Sequence, residues 1–137
     1  MNNVNFNDPA FMQTNAYQDF ISENPKLGYL NIRAYAANSA IPIANMQVEV
    51  SKIINNQKVI FFEGATTNSG TITQISLPTP MISNDDLIAP KSTTYDIKAI
   101  YNDETLLFKI QMYSDIQVVQ NINVVPNLRK DGINYGR

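Results

Sequence analysis

A chain of 137 residues with a formal net charge of −2 fits one domain, long enough to bury about two-thirds of the surface its unfolded form exposes. It contains no cysteine and no histidine, which excludes disulfide frameworks, thiolate chemistry, histidine-based triads and histidine zinc sites. Its 10 Lys and Arg are scattered among 12 Asp and Glu, so there is no electrostatic footprint for nucleic acid.

The opening "MNNVNFNDPAFMQTN" has neither the basic start nor the apolar stretch of a secretory signal, and no later apolar run reaches the roughly 20 residues of a membrane span. The expectation is a chain without a span that reaches a surface, if it does, without a classical signal peptide. Residues 1–26 read as an arm followed by a short helix. Val4 and Phe6 alternate with asparagines, Pro9 keeps the chain extended, and Phe11 and Met12 are large apolar groups that need a partner. In "TNAYQDFISENP", Tyr17, Phe20 and Ile21 share a helical face, Pro25 stops the helix, and the element is expected to cap one open end of a β-domain.

From residue 27 to residue 126 the period is two. Leu30, Ile32 and Ala34 alternate with Asn31, Arg33 and Tyr35, and after the break at Pro42, Met46, Val48 and Val50 alternate with Gln47, Glu49 and Ser51. "NNQ" at 55–57 is a hairpin turn leading into "KVIFFEG". "TNSG" at 67–70 allows a tight reversal, and the spacing of Ile72, Ile75 and Leu77 predicts either a bulge or a strand starting at Thr73. Pro78 and Pro80 are expected to end pairing before a long loop from Met81. Tyr95, Ile97, Ala99 and Tyr101 share a strand face, "NDE" at 102–104 is a second hairpin turn, and Val118, Gln120, Ile122 and Val124 alternate with Val119, Asn121 and Asn123. Seven short strands at turn intervals of roughly 8–12 residues predict an all-β, seven-stranded antiparallel β-sandwich, Ig-like in layout. Residues 127–137 form a tail.

Three stretches carry a resemblance: "GYLNIRAYAANSAIPIANMQVEVSK", "TTNSGTITQISLPTP" and "TYDIKAIYNDETLLFKIQMYSDIQVVQNINVVP". In order and spacing they resemble the carboxypeptidase-regulatory-like domains of Firmicutes, a prealbumin-like (transthyretin-like) sandwich group, over roughly residues 17–126. A similar domain accompanies clostridial spore cortex-lytic enzymes. The resemblance implies the sandwich fold and a role as stalk, accessory module or fibre subunit. These residues are expected to carry no catalytic domain, so the resemblance does not imply the lytic activity, and the hydroxyisourate hydrolases of the transthyretin group need histidines that this chain lacks.

Candidate chemistry is sparse. Asn84, Asp85 and Asp86, and Asn102, Asp103 and Glu104, offer oxygens but not the spacing of a calcium loop, and Glu49 with Glu63 is a carboxylate pair expected on a solvated face. The expectation is therefore no catalytic residue, no metal, no cofactor and no enzyme. The arm suggests assembly instead: Val4, Phe6, Phe11 and Met12 would anchor an extended segment on the open sheet edge of a neighbour, with Leu128, Ile133 and Tyr135 of the tail contributing, giving a head-to-tail filament at an extracellular, spore or cell surface. The alternative is an accessory module that binds cell-wall or spore-wall polymer through Tyr29, Tyr35 and Tyr113.

Overall fold

The computed structural model describes residues 3–37, 40–82 and 90–125. Strand β1 (Asn3–Asn5) leads into helices α1 (Pro9–Met12) and α2 (Asn15–Glu23). Strands β2 (Lys26–Ala36), β3 (Ile41–Pro42), β4 (Gln47–Ile54), β5 (Gln57–Ala65) and β6 (Thr71–Thr79) follow, then β7 (Thr93–Tyr101), β8 (Glu104–Met112) and β9 (Gln117–Val124). Seven of these strands are long; β1 and β3 are short additions at their ends.

Both helices start on side-chain caps. Asp8 accepts from the Ala10 amide (3.0 Å) with Pro9 at the first helical position, and Thr14 accepts from the Tyr17 amide (3.2 Å). The helical face read from Tyr17, Phe20 and Ile21 packs on the core, Phe20 being buried.

Two hairpins have two-residue turns. Asn55 and Asn56 (φ 51° and 64°) join β4 to β5, and Asn102 and Asp103 (φ 49° and 65°) join β7 to β8. Positive φ at both central positions gives the turn whose twist matches the flanking strands, which is why Asn and Asp occupy them. Gly70 (φ 75°) closes the third reversal, and a Cβ there would sit 2.4 Å from the Ala34 carbonyl oxygen.

The strands form two layers. One sheet has the order β1-β5-β4-β7-β8; the other sets β6 and β3 along one side of β2 and β9 along its opposite side. The inward stripes, Leu30, Ile32 and Ala34 of β2, Val48 and Val50 of β4, Tyr95, Ile97 and Ala99 of β7 and Ile122 of β9, meet between the sheets as a single core. The fold is the expected β-sandwich with a short helix.

One open alternative is settled and three local expectations change, the first being that Pro9 opens helix α1 rather than keeping the chain extended. The bulge alternative holds on β6, which starts at Thr71: the register against β2 shifts between Leu30 and Ile32, with Gln74 at φ 60°. Pairing runs through Pro78, opposite Leu27, to Thr79; β6 pairs only with β2 among the described strands, so a missing N–H is tolerated on its outer side. The sandwich is also not purely antiparallel. β9 runs parallel to β2, because the chain crosses from β8 through Tyr113 and Asp115 and enters beside the start of β2: the Asp115 amide donates to Leu27 (2.8 Å) and the Tyr29 amide to Ile116 (3.0 Å). β1 runs parallel to β5. Among the described residues no helix is long and apolar enough to cross a membrane.

Candidate functional site

The arm folds onto its own domain. Asn3, Val4 and Asn5 pair with Lys58, Val59 and Ile60 of β5, and the Phe6 amide donates to the Ile60 carbonyl (2.8 Å). Phe6 stacks on Phe61 (4.4 Å between centroids) and meets Tyr17 (5.1 Å) and Phe20 (5.9 Å), while Phe61 meets Tyr95 edge-on (5.0 Å). Phe11 is buried against the same cluster and Met12 is exposed. Thus Val4, Phe6 and Phe11, expected as anchors on a neighbour, complete the edge and core of their own chain. The β5 edge on which a neighbour's arm would lie is filled, because Phe6 is held by aromatic partners that the same chain supplies from α2 and β5. Leu128, Ile133 and Tyr135 lie outside the described residues, as do Asn84, Asp85 and Asp86.

The two outer sheet faces differ in chemistry. On the face of β4, β5, β7 and β8, Lys58 pairs with Glu49 (2.5 Å) and Lys109 with Asp96 (2.6 Å). Glu49 and Glu63 do come together, directly opposite each other across β4 and β5, with Lys98 opposite Glu49 on the other side. The Glu49 carboxylate is therefore engaged by lysine in a charged lattice and is largely covered rather than solvated as expected. Among the described residues no group of three or more Asp and Glu could hold a metal ion.

The opposite face has no carboxylate on its rows. Since Leu30, Ile32 and Ala34 point inward, Tyr29, Asn31, Arg33 and Tyr35 point outward, about 6.6 Å apart along β2. Parallel register sets Gln117, Val119, Asn121 and Asn123 of β9 beside them, and Ser76 and Thr71 of β6 lie opposite Tyr29 and Arg33. The Arg33 guanidinium carbon lies 5.9 Å from the Tyr35 ring centre, a cation–π contact that steadies both groups. Asn31 fills the bulge, its Oδ1 accepting from the Gln74 amide (2.8 Å). The result is a flat row of amide, hydroxyl and guanidinium donors framed by Tyr29 and Tyr35, about 20 Å apart along the strand. Tyr113 is not part of it: its hydroxyl is paired with Gln111 of β8. The amides of β9 were missed as site residues because their neighbours on this face come from a parallel crossover; the one local signal was the strict alternation of Gln117, Asn121 and Asn123 with inward residues.

No family model matches the sequence, and no curated protein matches it. Among solved structures, the chain is similar to 5-hydroxyisourate hydrolase of Klebsiella pneumoniae at 12% identity and a TM-score of 0.49, over 73% of this chain and 91% of that one. It is similar to transthyretin of Sparus aurata at 10% identity and a TM-score of 0.43, over 69% and 90%. It is also similar to an (S)-allantoin synthase at 10% identity and a TM-score of 0.47, covering 74% of this chain and 42% of that one. The expectation of a protein that is not an enzyme is corrected by this finding, since two of these three structures are enzymes; identities of 10–12% give this chain neither activity.

Proposed function

We propose that the chain is an accessory binding domain for an uncharged polysaccharide of the cell-wall or spore-wall kind, held along the outer face of β6, β2 and β9. The observation that supports this reading is the contrast between faces: one is a lattice of paired charges, the other a carboxylate-free row of amide and hydroxyl groups between two tyrosines. Sugar rings present apolar faces that stack on tyrosine and hydroxyls that pair with amides, so a long neutral chain fits a row of this composition. Surface localisation follows from this reading. Filament formation by arm donation has less support, because the arm occupies its own β5.

The test is affinity electrophoresis and calorimetry with chitooligosaccharides and with soluble wall fragments. Tyr29→Ala combined with Tyr35→Ala should weaken binding about tenfold, the worth of roughly 0.7 kcal/mol per stacked ring. Thr105→Ala, on the other sheet, should leave binding unchanged. Failure of the unmodified protein to bind either ligand, or equal binding by the double variant, overturns the reading.

A further inference from the structure

Lysine is out of place on the core-facing stripe of β4. The inward positions are Val48, Val50, Lys52 and Ile54, and all but the lysine are buried hydrophobic side chains. A charged group at a core position is where a fold departs from its own pattern for function. The Lys52 ammonium carries three donors; one goes to the Thr94 carbonyl (2.9 Å), and the Tyr95 ring centre lies 5.9 Å away. Among the described residues no carboxylate stands within ion-pair distance of Lys52, and the side chain of Asp96 is engaged by Lys109 (2.6 Å).

Lys52 lines a cavity of about 840 Å³ at the α2 end of the sandwich. The floor and walls include Phe20, Asn24, Thr93, Pro80 and Met81. Asn24 and Thr93 are buried and mutually satisfied: the Thr93 hydroxyl donates to Asn24 Oδ1, and Asn24 Nδ2 donates to the Phe20 carbonyl (2.9 Å). They make a fixed polar floor and leave the lysine as the group with unused donors. At the exposed rim Lys91 adds a second cation and Glu23 one carboxylate.

We infer that this cavity binds a small organic carboxylate with an apolar body, its charge meeting the Lys52 ammonium and its body lying against Phe20, Pro80 and Met81. A half-buried ammonium with no carboxylate in ion-pair distance among the described residues is costly, and an anion that enters this mixed polar and apolar cavity offsets that cost while filling the space. Burial holds the Lys52 amine below the ordinary lysine range, with Asp96 opposing the shift and Lys109 adding to it, in keeping with a cation short of partners. The site is separate from the tyrosine face, so its test bears on neither the polysaccharide reading nor its failure.

The probes are phenylacetate and its neutral isostere phenylacetamide, titrated into the full-length protein and followed by amide chemical shifts. Phenylacetate should move the resonances of Ser92, Thr93 and Thr94 saturably, and phenylacetamide should bind at least tenfold more weakly. Lys52→Met should weaken phenylacetate binding at least tenfold, and Lys52→Arg should retain it. Absent shifts, equal affinity for the two probes, or undiminished binding to Lys52→Met overturns the assignment. Should Lys52→Met fail to fold, the comparison of the two probes on the unmodified protein decides alone.

Discussion

Tyr95 shows what one residue can join in this fold. It is fully buried in the inward stripe of β7, its ring meets Phe61, and its hydroxyl donates to the Pro78 carbonyl of the facing sheet (2.5 Å). Burial raises the pKa of its phenol above the ordinary value of 10.0. The folded chain thus keeps a proton that the unfolded chain releases above about pH 10. Stability contributed by this residue is full below that pH and declines above it by about 1.4 kcal/mol per unit. Tyr95→Phe should cost about 1–3 kcal/mol near neutral pH, since the Pro78 carbonyl loses its buried donor. It should also flatten the decline between about pH 10 and pH 11. Urea unfolding of both proteins across that range checks it, and parallel curves would mean that the phenol already ionises in the fold. The inward position of Tyr95 was legible from the alternation Tyr95, Ile97, Ala99; its bond to Pro78 was not, because it joins strands of different sheets.

At the scale of elements, local chemistry announced what local chemistry decides. Asn-Asn and Asn-Asp turns marked the hairpins, the spacing of Tyr17, Phe20 and Ile21 with Pro25 marked α2, and period-two runs marked the strands, because each depends on residues a few positions apart. The destination of β1 and the direction of β9 depend on distant segments. Alternating Val4 and Phe6 read as anchors for an edge, yet nothing adjacent in sequence says whose edge. The partner ring, Phe61, stands on β5, beyond α1, α2 and three intervening strands. With the arm on its own domain, Phe6→Ala removes a half-buried ring from an aromatic cluster and should lower stability by about 2–4 kcal/mol. That loss should be the same at every protein concentration, as unfolding of a one-chain contact carries no mass-action dependence. Melting temperatures measured over a hundredfold concentration range check this, and a midpoint that rises with concentration would place the arm on a neighbouring chain.

For the whole molecule, the question is which edges and faces stay available. The arm covers the start of β5 with a three-residue edge strand, so among the described strands the long open edge of the five-stranded sheet is β8, whose outer flank pairs with no other strand. β8 is nine residues long and presents Leu107 at 74% exposure, the kind of edge that recruits another copy. Lys109 stands two residues on, exposed, and bonded to Asp96 on the neighbouring strand. Two copies pairing through β8 would bring these ammonium groups near each other and strip their water, which opposes association. The mixed charges of this face therefore also protect its edge. Lys109→Val removes that charge, leaves Asp96 without its partner and extends the apolar row from Leu107. The variant should form concentration-dependent oligomers in sedimentation velocity under conditions where the unmodified chain sediments as a monomer, with Lys109→Glu remaining dispersed. If the valine variant stays monomeric at every concentration, the protection of β8 lies in its twist and shape rather than in this lysine.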